Sequence, residues 1–173
     1  VNAIPRPSFE QLCEVLGLQP LPVEGGHFAE VWRSEAGGRV VGTSIVFALS
    51  ADPDSFSAMH RLTLDEIWHF HLGDPIELLL LHPDGGIERP RLGPDLLKGD
   101  RVQVVVPAGT WMGGAVVPGG SWGLVGCTMA PGFVGDCFES GVRGELVAGW
   151  PVAADAITRL TRPGSPRHMP QGY

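Results

Sequence analysis

From Gly25 onward the chain alternates apolar and polar residues with period two, in short runs that break on Gly, Pro, Asp or Ser. "GGHFAEVWRS", "VGTSIVFALS", "DEIWHFHL", "IELLLLH", "DRVQVVVPAG", "TWMGGAVV" and "SWGLVGCTMA" are strand candidates, because successive side chains of a strand point to opposite faces. About eight to ten strands are expected. So many strands in roughly 120 residues must close into a barrel or fold as two packed sheets, since long open edges invite pairing with other chains. The 25 glycines and 16 prolines supply the turns that such a chain needs. The pattern therefore predicts an all-β fold, a jelly-roll barrel.

Helical spacing returns only at the two ends. "SFEQLCEVLGL" carries a Ser8 cap with Gln11 three residues on, a stripe of Phe9, Leu12, Val15 and Leu16, and Gly17 as a stop. "GELVAGW" and "PVAADAITRL" regain the period, with Val152, Ala156, Ile157 and Leu160 as the expected buried stripe. A chain of 173 residues is one domain's worth. It divides into an N-terminal helical segment (1–20), a barrel (21–142), C-terminal helices (143–161) and a Pro-rich tail (162–173).

The net charge of -7 and the scattered basic residues argue against a nucleic-acid partner, which needs clustered Lys and Arg. Cys13, Cys127 and Cys137 form no CxxC pair, and an odd count leaves a thiol unbridged, which fits a reducing cytoplasm. No basic-then-apolar leader opens the sequence and no long apolar run follows, so neither secretion nor a membrane span is expected.

Chemistry concentrates in "HRLTLDEIWHFHLGD", His60 to Asp74. Strand geometry sends Glu66, Trp68 and Phe70 to one face and Ile67, His69 and His71 to the other. If the Glu66 face is the inner one, a carboxyl lies among aromatics, where it holds its proton more tightly than in water or pairs with a charged His60. His69 and His71 are expected to be structural, bonding a neighbouring carbonyl or lying at a dimer seam.

The register of this stretch resembles the first motif of the cupin superfamily, which runs Gly, five residues, His-x-His, three or four residues, Glu, six residues, Gly. His60, Glu66 and Gly73 fall on that pattern, with Leu62 at the second histidine and Asp54 at the leading glycine. The second cupin motif resembles "PAGTWMGGAV", with Pro107 and Gly109 in place but Met112 at the histidine and Val116 at the asparagine. In metal-dependent cupins those histidines and the glutamate ligate a divalent ion. Here two of the four positions lack suitable donors: Leu62 has no lone pair, and a thioether is a poor partner for Mn, Fe(II) or Zn. The expectation is a site with no metal and no cofactor.

"EGGHFAEVWRS", "FSAMHRLTLDEIWHFHLGDPIEL", "VPAGTW" and "LVGCTMAPGF" are similar to runs in an uncharacterised, epimerase-like cupin subgroup. That resemblance implies a double-stranded β-helix with short flanking helices and a homodimer sharing N-terminal strands. The chain departs from the subgroup at His27, Ala29 and Met112, where Tyr, Arg and Gln are usual.

The candidate catalytic residues are thus His60 and Glu66. His27, Arg33, Leu62, Trp68, Phe70, Trp111 and Met112 are candidates for binding a small molecule: Arg33 as a bidentate anion partner, Trp111 and Met112 as a flat ring and a pliable thioether at the barrel mouth. Alternation groups His27 with Arg33 on one face of the early strand and Glu30 with Trp32 on the other. Cys127 has no evident base beside it and is read as packing. The function expected is a metal-independent isomerase or epimerase working by His/Glu proton transfer on a small-molecule substrate. Two alternatives stay open: a non-catalytic cupin that binds a hydrophobic metabolite, and a metal enzyme using an irregular set from His60, Glu66, His69, His71 or His27.

Overall fold

The computed structural model describes residues 5–172. Helix α1 (Phe9–Leu16) opens on the capping box that the sequence announces: the Ser8 hydroxyl accepts from the Gln11 backbone N–H, and Gln11 Oε1 accepts from the Ser8 N–H. It stops at Gly17, whose left-handed backbone (φ 64) only glycine adopts without strain. The buried stripe is narrower than the periodicity predicts. Leu12 is buried with Phe9 and Cys13 beside it, while Val15 is 81% exposed.

The strands form two antiparallel six-stranded sheets. In the first sheet, β1 (Gln19–Pro20), β2 (His27–Ala36), β3 (Arg39–Ser50), β11 (Trp122–Met129), β5 (Glu66–Gly73) and β9 (Gln103–Val106) are neighbours in that order. The second runs β12 (Phe138–Ser140), β4 (Ser57–Leu62), β10 (Trp111–Val116), β6 (Ile76–Leu81) and β7 (Ile87–Glu88), with β8 (Arg91–Leu92) also on β6. The strands beyond the expected number are mostly two-residue pieces, too short for alternation to register in a sequence. Phe47, Leu49, Trp68, Leu78, Leu80, Val104, Val106, Met112 and Val125 fill the space between the sheets.

Each outer face is covered differently. On the second sheet lie α2 (Arg143–Gly149) and α3 (Ala154–Arg159), with Leu146, Ala156, Ile157 and Leu160 packed on Met59, Leu79, Leu81 and Trp111. Val152 does not join them; it is 91% exposed. Residues 151–153 form a 3₁₀ turn, and its tighter winding puts Ala153 in the buried position instead. On the first sheet α1 covers Ala48, Trp122 and Leu124. Arg6 clamps this end, donating to both Asp74 carboxylate oxygens and the Trp122 carbonyl while stacking over the Trp122 ring. No helix among the described residues is long and apolar enough to cross a membrane.

Candidate active site in the barrel cavity

Two register shifts decide which side chains reach the space between the sheets. Across β2 and β3, Glu30 opposes Ile45 and Trp32 opposes Ser44, so Val31 is an extra residue, a β-bulge. Directly opposed residues share a face, and beyond the bulge the facing of β2 reverses. Phe28, Glu30 and Arg33 therefore all face the cavity together with Ile45 and Thr43. Alternation alone separates Glu30 from Arg33, and the bulge reunites them. Trp32 is turned outward over Gly42, where a Cβ would lie 2.3 Å from the indole.

The second shift lies between β4 and β10, where Met112 opposes His60 but Gly114 opposes Ser57. It lets Ala58 and Met59 both pack under the C-terminal helices while His60 and Leu62 return to the inner side. Gly113 is needed there: a Cβ would meet Met59 Sδ at 2.8 Å and the Ser57 carbonyl at 3.0 Å.

The resulting cavity has a volume of about 490 Å³, within the range of small-molecule sites. Its walls are apolar: Phe28, Ile45, Leu62, Met129, Phe133 and Phe138. Glu30, Arg33 and Thr43 add polar groups from β2 and β3, and a second set centres on His60. His60, 2% exposed, stacks on Phe138 with ring centroids 5.1 Å apart, and its Nδ1 lies 2.8 Å from the Ala58 carbonyl. A carbonyl only accepts, so Nδ1 carries a proton and Nε2 is the nitrogen left to act in the cavity.

Glu66 is buried and accepts from Trp68 Nε1 at 2.7 Å. Burial pushes its carboxyl up to about 7; the neighbouring charge of Glu24 adds to the rise, and His60 with the Trp68 and Cys127 hydrogen bonds opposes it. The Cys127 thiol, buried beside that carboxyl, is itself pushed far above its ordinary range by desolvation. It is a poor nucleophile there.

Sequence reasoning missed Glu24, because nothing in "PVEGG" marks it as more than a turn. Its placement is built from three sides. Ser57 Oγ donates to Glu24 Oε1 at 2.8 Å, and the Glu24 carbonyl accepts from the Ala58 N–H and from Arg162 Nη1. Glu24 Oε2 faces His60 Nε2 across 3.9 Å. The preceding Val23 has φ 65, a left-handed conformation that a β-branched residue adopts only under strain.

The tail also reaches the site. Met169 and Gly172 line the cavity. Their segment is tied along β12 by the Ser140 N–H to Arg167 carbonyl bond, and Arg167 pairs with Glu139 and Glu145.

The other sequence candidates are distributed as follows. Arg33 lines the cavity but is committed: Nε and Nη2 donate to the two Glu30 oxygens at 2.9 and 2.7 Å, and Nη1 to the Phe133 carbonyl. Trp68 faces inward as expected, fully buried behind Glu66, and Phe70 and Met112 pack in the same core; none of the three lines the cavity. Trp111 is on the opposite face of β10, beneath the C-terminal helices, with Arg61 stacked 4.6 Å from its ring. His27 lies in a separate groove beside α1, edge-on to Phe9 at 5.4 Å.

His69 and His71 are on the outer face of β5. Gln103 donates to His69 Nδ1 at 2.8 Å, so His69 Nε2 donates to Thr128, and the two imidazoles stack at 6.5 Å. They cannot join His60 on an ion. Among the described residues no group of three or more His, Cys, Asp or Glu side chains could hold a metal. The residues present do not fit the divalent centre of metal-dependent cupins.

A comparison with curated proteins gave no match. Among solved structures, protein SO0799 from Shewanella oneidensis is 35% identical with a TM-score of 0.84, covering 91% of this chain and 99% of that one. A hypothetical protein from Leishmania major is 30% identical with a TM-score of 0.80, covering 90% and 99%. More distant likeness, in fold alone, extends to oxalate decarboxylase from Bacillus subtilis (15% identical, TM-score 0.55, covering 86% of this chain and 37% of that one). A dTDP sugar isomerase from Desulfovibrio desulfuricans is at a similar remove (20% identical, TM-score 0.50, covering 70% and 86%). The model of the family Cupin_5, described as "Cupin superfamily (DUF985)", matches residues 10–140. With that match spanning most of the chain and the two sheets enclosing one cavity, the protein belongs to the Cupin_5 family of the cupin superfamily.

Proposed function

We propose that the protein is a metal-independent enzyme of isomerase or epimerase type, acting on a small molecule by proton transfer between His60 and Glu66. The observation that carries this reading is the convergence of an imidazole nitrogen and a carboxyl of raised pKa, about 7, on one apolar cavity. With Nδ1 protonated and bonded to Ala58, His60 Nε2 is the base. It takes the proton from a carbon next to a carbonyl. The C–H electron pair becomes the C=C bond of an enol, and the carbonyl oxygen takes the proton held by Glu66. Return of a proton from water to the opposite face of the same carbon, as the enol O–H proton goes back to Glu66 and His60 gives its proton to water, yields the epimer. Where that carbon bears a hydroxyl, loss of the hydroxyl proton and protonation of the former carbonyl carbon by His60 yields the isomer. Trp68 fixes the Glu66 carboxyl through its N–H, and Ala58 fixes the imidazole ring.

Solvent-deuterium exchange into a panel of small cyclic and aryl ketones, followed by mass spectrometry, tests the reading. His60→Ala and Glu66→Gln should each abolish exchange while circular dichroism stays native. Exchange that persists in both variants rejects it. One observation favours the alternative of a binding protein: the cavity wall is mostly aromatic and aliphatic. Under that alternative, ketones raise the melting temperature of the wild-type protein and never exchange.

A further inference from the structure

The cavity that holds His60 and Glu66 also carries a head-group site of its own. Resting on the reading above, we infer that its ligand is a small apolar amine, bound in the protonated form with its ammonium on Glu24 and its body against Phe28, Ile45, Leu62 and Phe138.

The charge inventory comes first. Three carboxylates line the cavity, Glu24, Glu30 and Glu66, against a single guanidinium, Arg33, and no lysine. Glu30 and Arg33 neutralise each other through two hydrogen bonds, and the remaining Arg33 amine is engaged by the Phe133 carbonyl. A phosphate or carboxylate entering here meets no unengaged Arg or Lys, and it meets the Glu24 carboxylate, an arrangement that disfavours anions.

The second observation is a pair of groups that face each other without a hydrogen bond between them. Nδ1 of His60 is committed to the Ala58 carbonyl, and its Nε2 faces Glu24 Oε2 3.9 Å away, too far for a hydrogen bond. His60 is 2% exposed and Glu24 is 12% exposed, so both present their polar atoms from a largely buried site. Glu24 is not a loose loop residue that turns in by chance. Ser57 holds its other oxygen, Arg162 and Ala58 hold its carbonyl, and Val23 is strained beside it. Such strain persists where the surroundings hold a neighbour in a chosen place.

An ammonium on Glu24 Oε2 makes a charge-assisted hydrogen bond in a largely buried site. In an amine that also carries the carbonyl required above, the carbon between the two groups is the one presented to His60 Nε2, the nitrogen assigned as base, with Glu66 within electrostatic reach. Specificity and chemistry are thereby divided. Glu24 chooses the head group, while His60 and Glu66 move protons.

The test is calorimetry at low ionic strength and pH 7.5 on the full chain, with three probes that share one body: 3-phenylpropylamine, 3-phenyl-1-propanol and 3-phenylpropanoate. The amine should bind at least about tenfold more tightly than the alcohol, as a charge-assisted contact at a part-buried carboxylate gives, and the carboxylate most weakly. Glu24→Gln should reduce the amine to the alcohol's affinity and leave the alcohol where it was, which shows that the cavity is still formed. Binding of the carboxylate as tight as that of the amine overturns the inference, and so does an amine preference that survives Glu24→Gln or an amine that does not bind. Deuterium exchange into neutral ketones involves no amine, so this inference and the acid–base reading can fail separately.

Discussion

Trp68 and Glu66 lie two residues apart on the inner side of β5, and the indole N–H is bonded to the carboxylate at 2.7 Å. One aromatic side chain is thus both a large piece of the core and the partner of the group assigned as acid. Removing either function separately is informative.

Trp68→Phe keeps an inward ring and deletes the N–H. That hydrogen bond favours the ionised carboxylate, so its loss raises the Glu66 pKa further above about 7. The limb of the kcat/KM profile that reports Glu66 should move to higher pH, with the fold retained. A profile that does not move would separate Glu66 from the rate.

Glu66→Gln should change how stability depends on pH. An unfolded Glu66 ionises near 4.5, and the folded one near 7, so between these values the native state holds the extra proton. Stability supplied by the protonated form is complete below about pH 4.5 and is lost as pH rises through about 7, at an order-of-magnitude cost of about 3 kcal/mol. The variant should flatten that decline. Urea midpoints at pH 4.5, 6 and 8 for both proteins measure it.

Trp111→Ala should destabilise the protein by about 3 kcal/mol or more, since the ring fills the layer between the second sheet and the C-terminal helices. The affinity of 3-phenyl-1-propanol should stay unchanged, because the ring is turned away from the cavity. Denaturant titration and calorimetry on one preparation check both halves.

Deleting residues 167–173 removes Met169 and Gly172 from the cavity wall along with the Arg167 ion pairs. Probe association and dissociation should both become faster in stopped-flow measurements, as expected when a wall segment is also an obstruction. An unchanged pair of rate constants would mean that ligands enter elsewhere.

Much of this architecture is legible in the letters. Period-two runs and turn residues specify the two sheets, the Ser8 and Gln11 pair specifies the start of α1, and the motif register singles out His60 and Glu66 on elements that do bring them together. The misses share a physical cause. Facing is inferred by counting, and counting fails at each bulge or 3₁₀ turn: at Val31 for Arg33, and at residues 151–153 for Val152. Alternation across Trp111 and Met112 does say that one of them faces away, although it does not say which. Glu24 and Met169 are invisible for a different reason. They reach the cavity from elements far apart in sequence, and no local pattern reports a contact made across the fold.

The extra residue at Val31 has a consequence for comparing relatives. A chain spelled alike there that paired β2 with β3 in unbroken phase from Phe28 to Ser34 could not bring Phe28, Glu30 and Arg33 to the same side. Aligned letters would then match while the two cups differed in lining. The pairing phase at that one column would be worth more for sorting such proteins by ligand than their overall percentage identity.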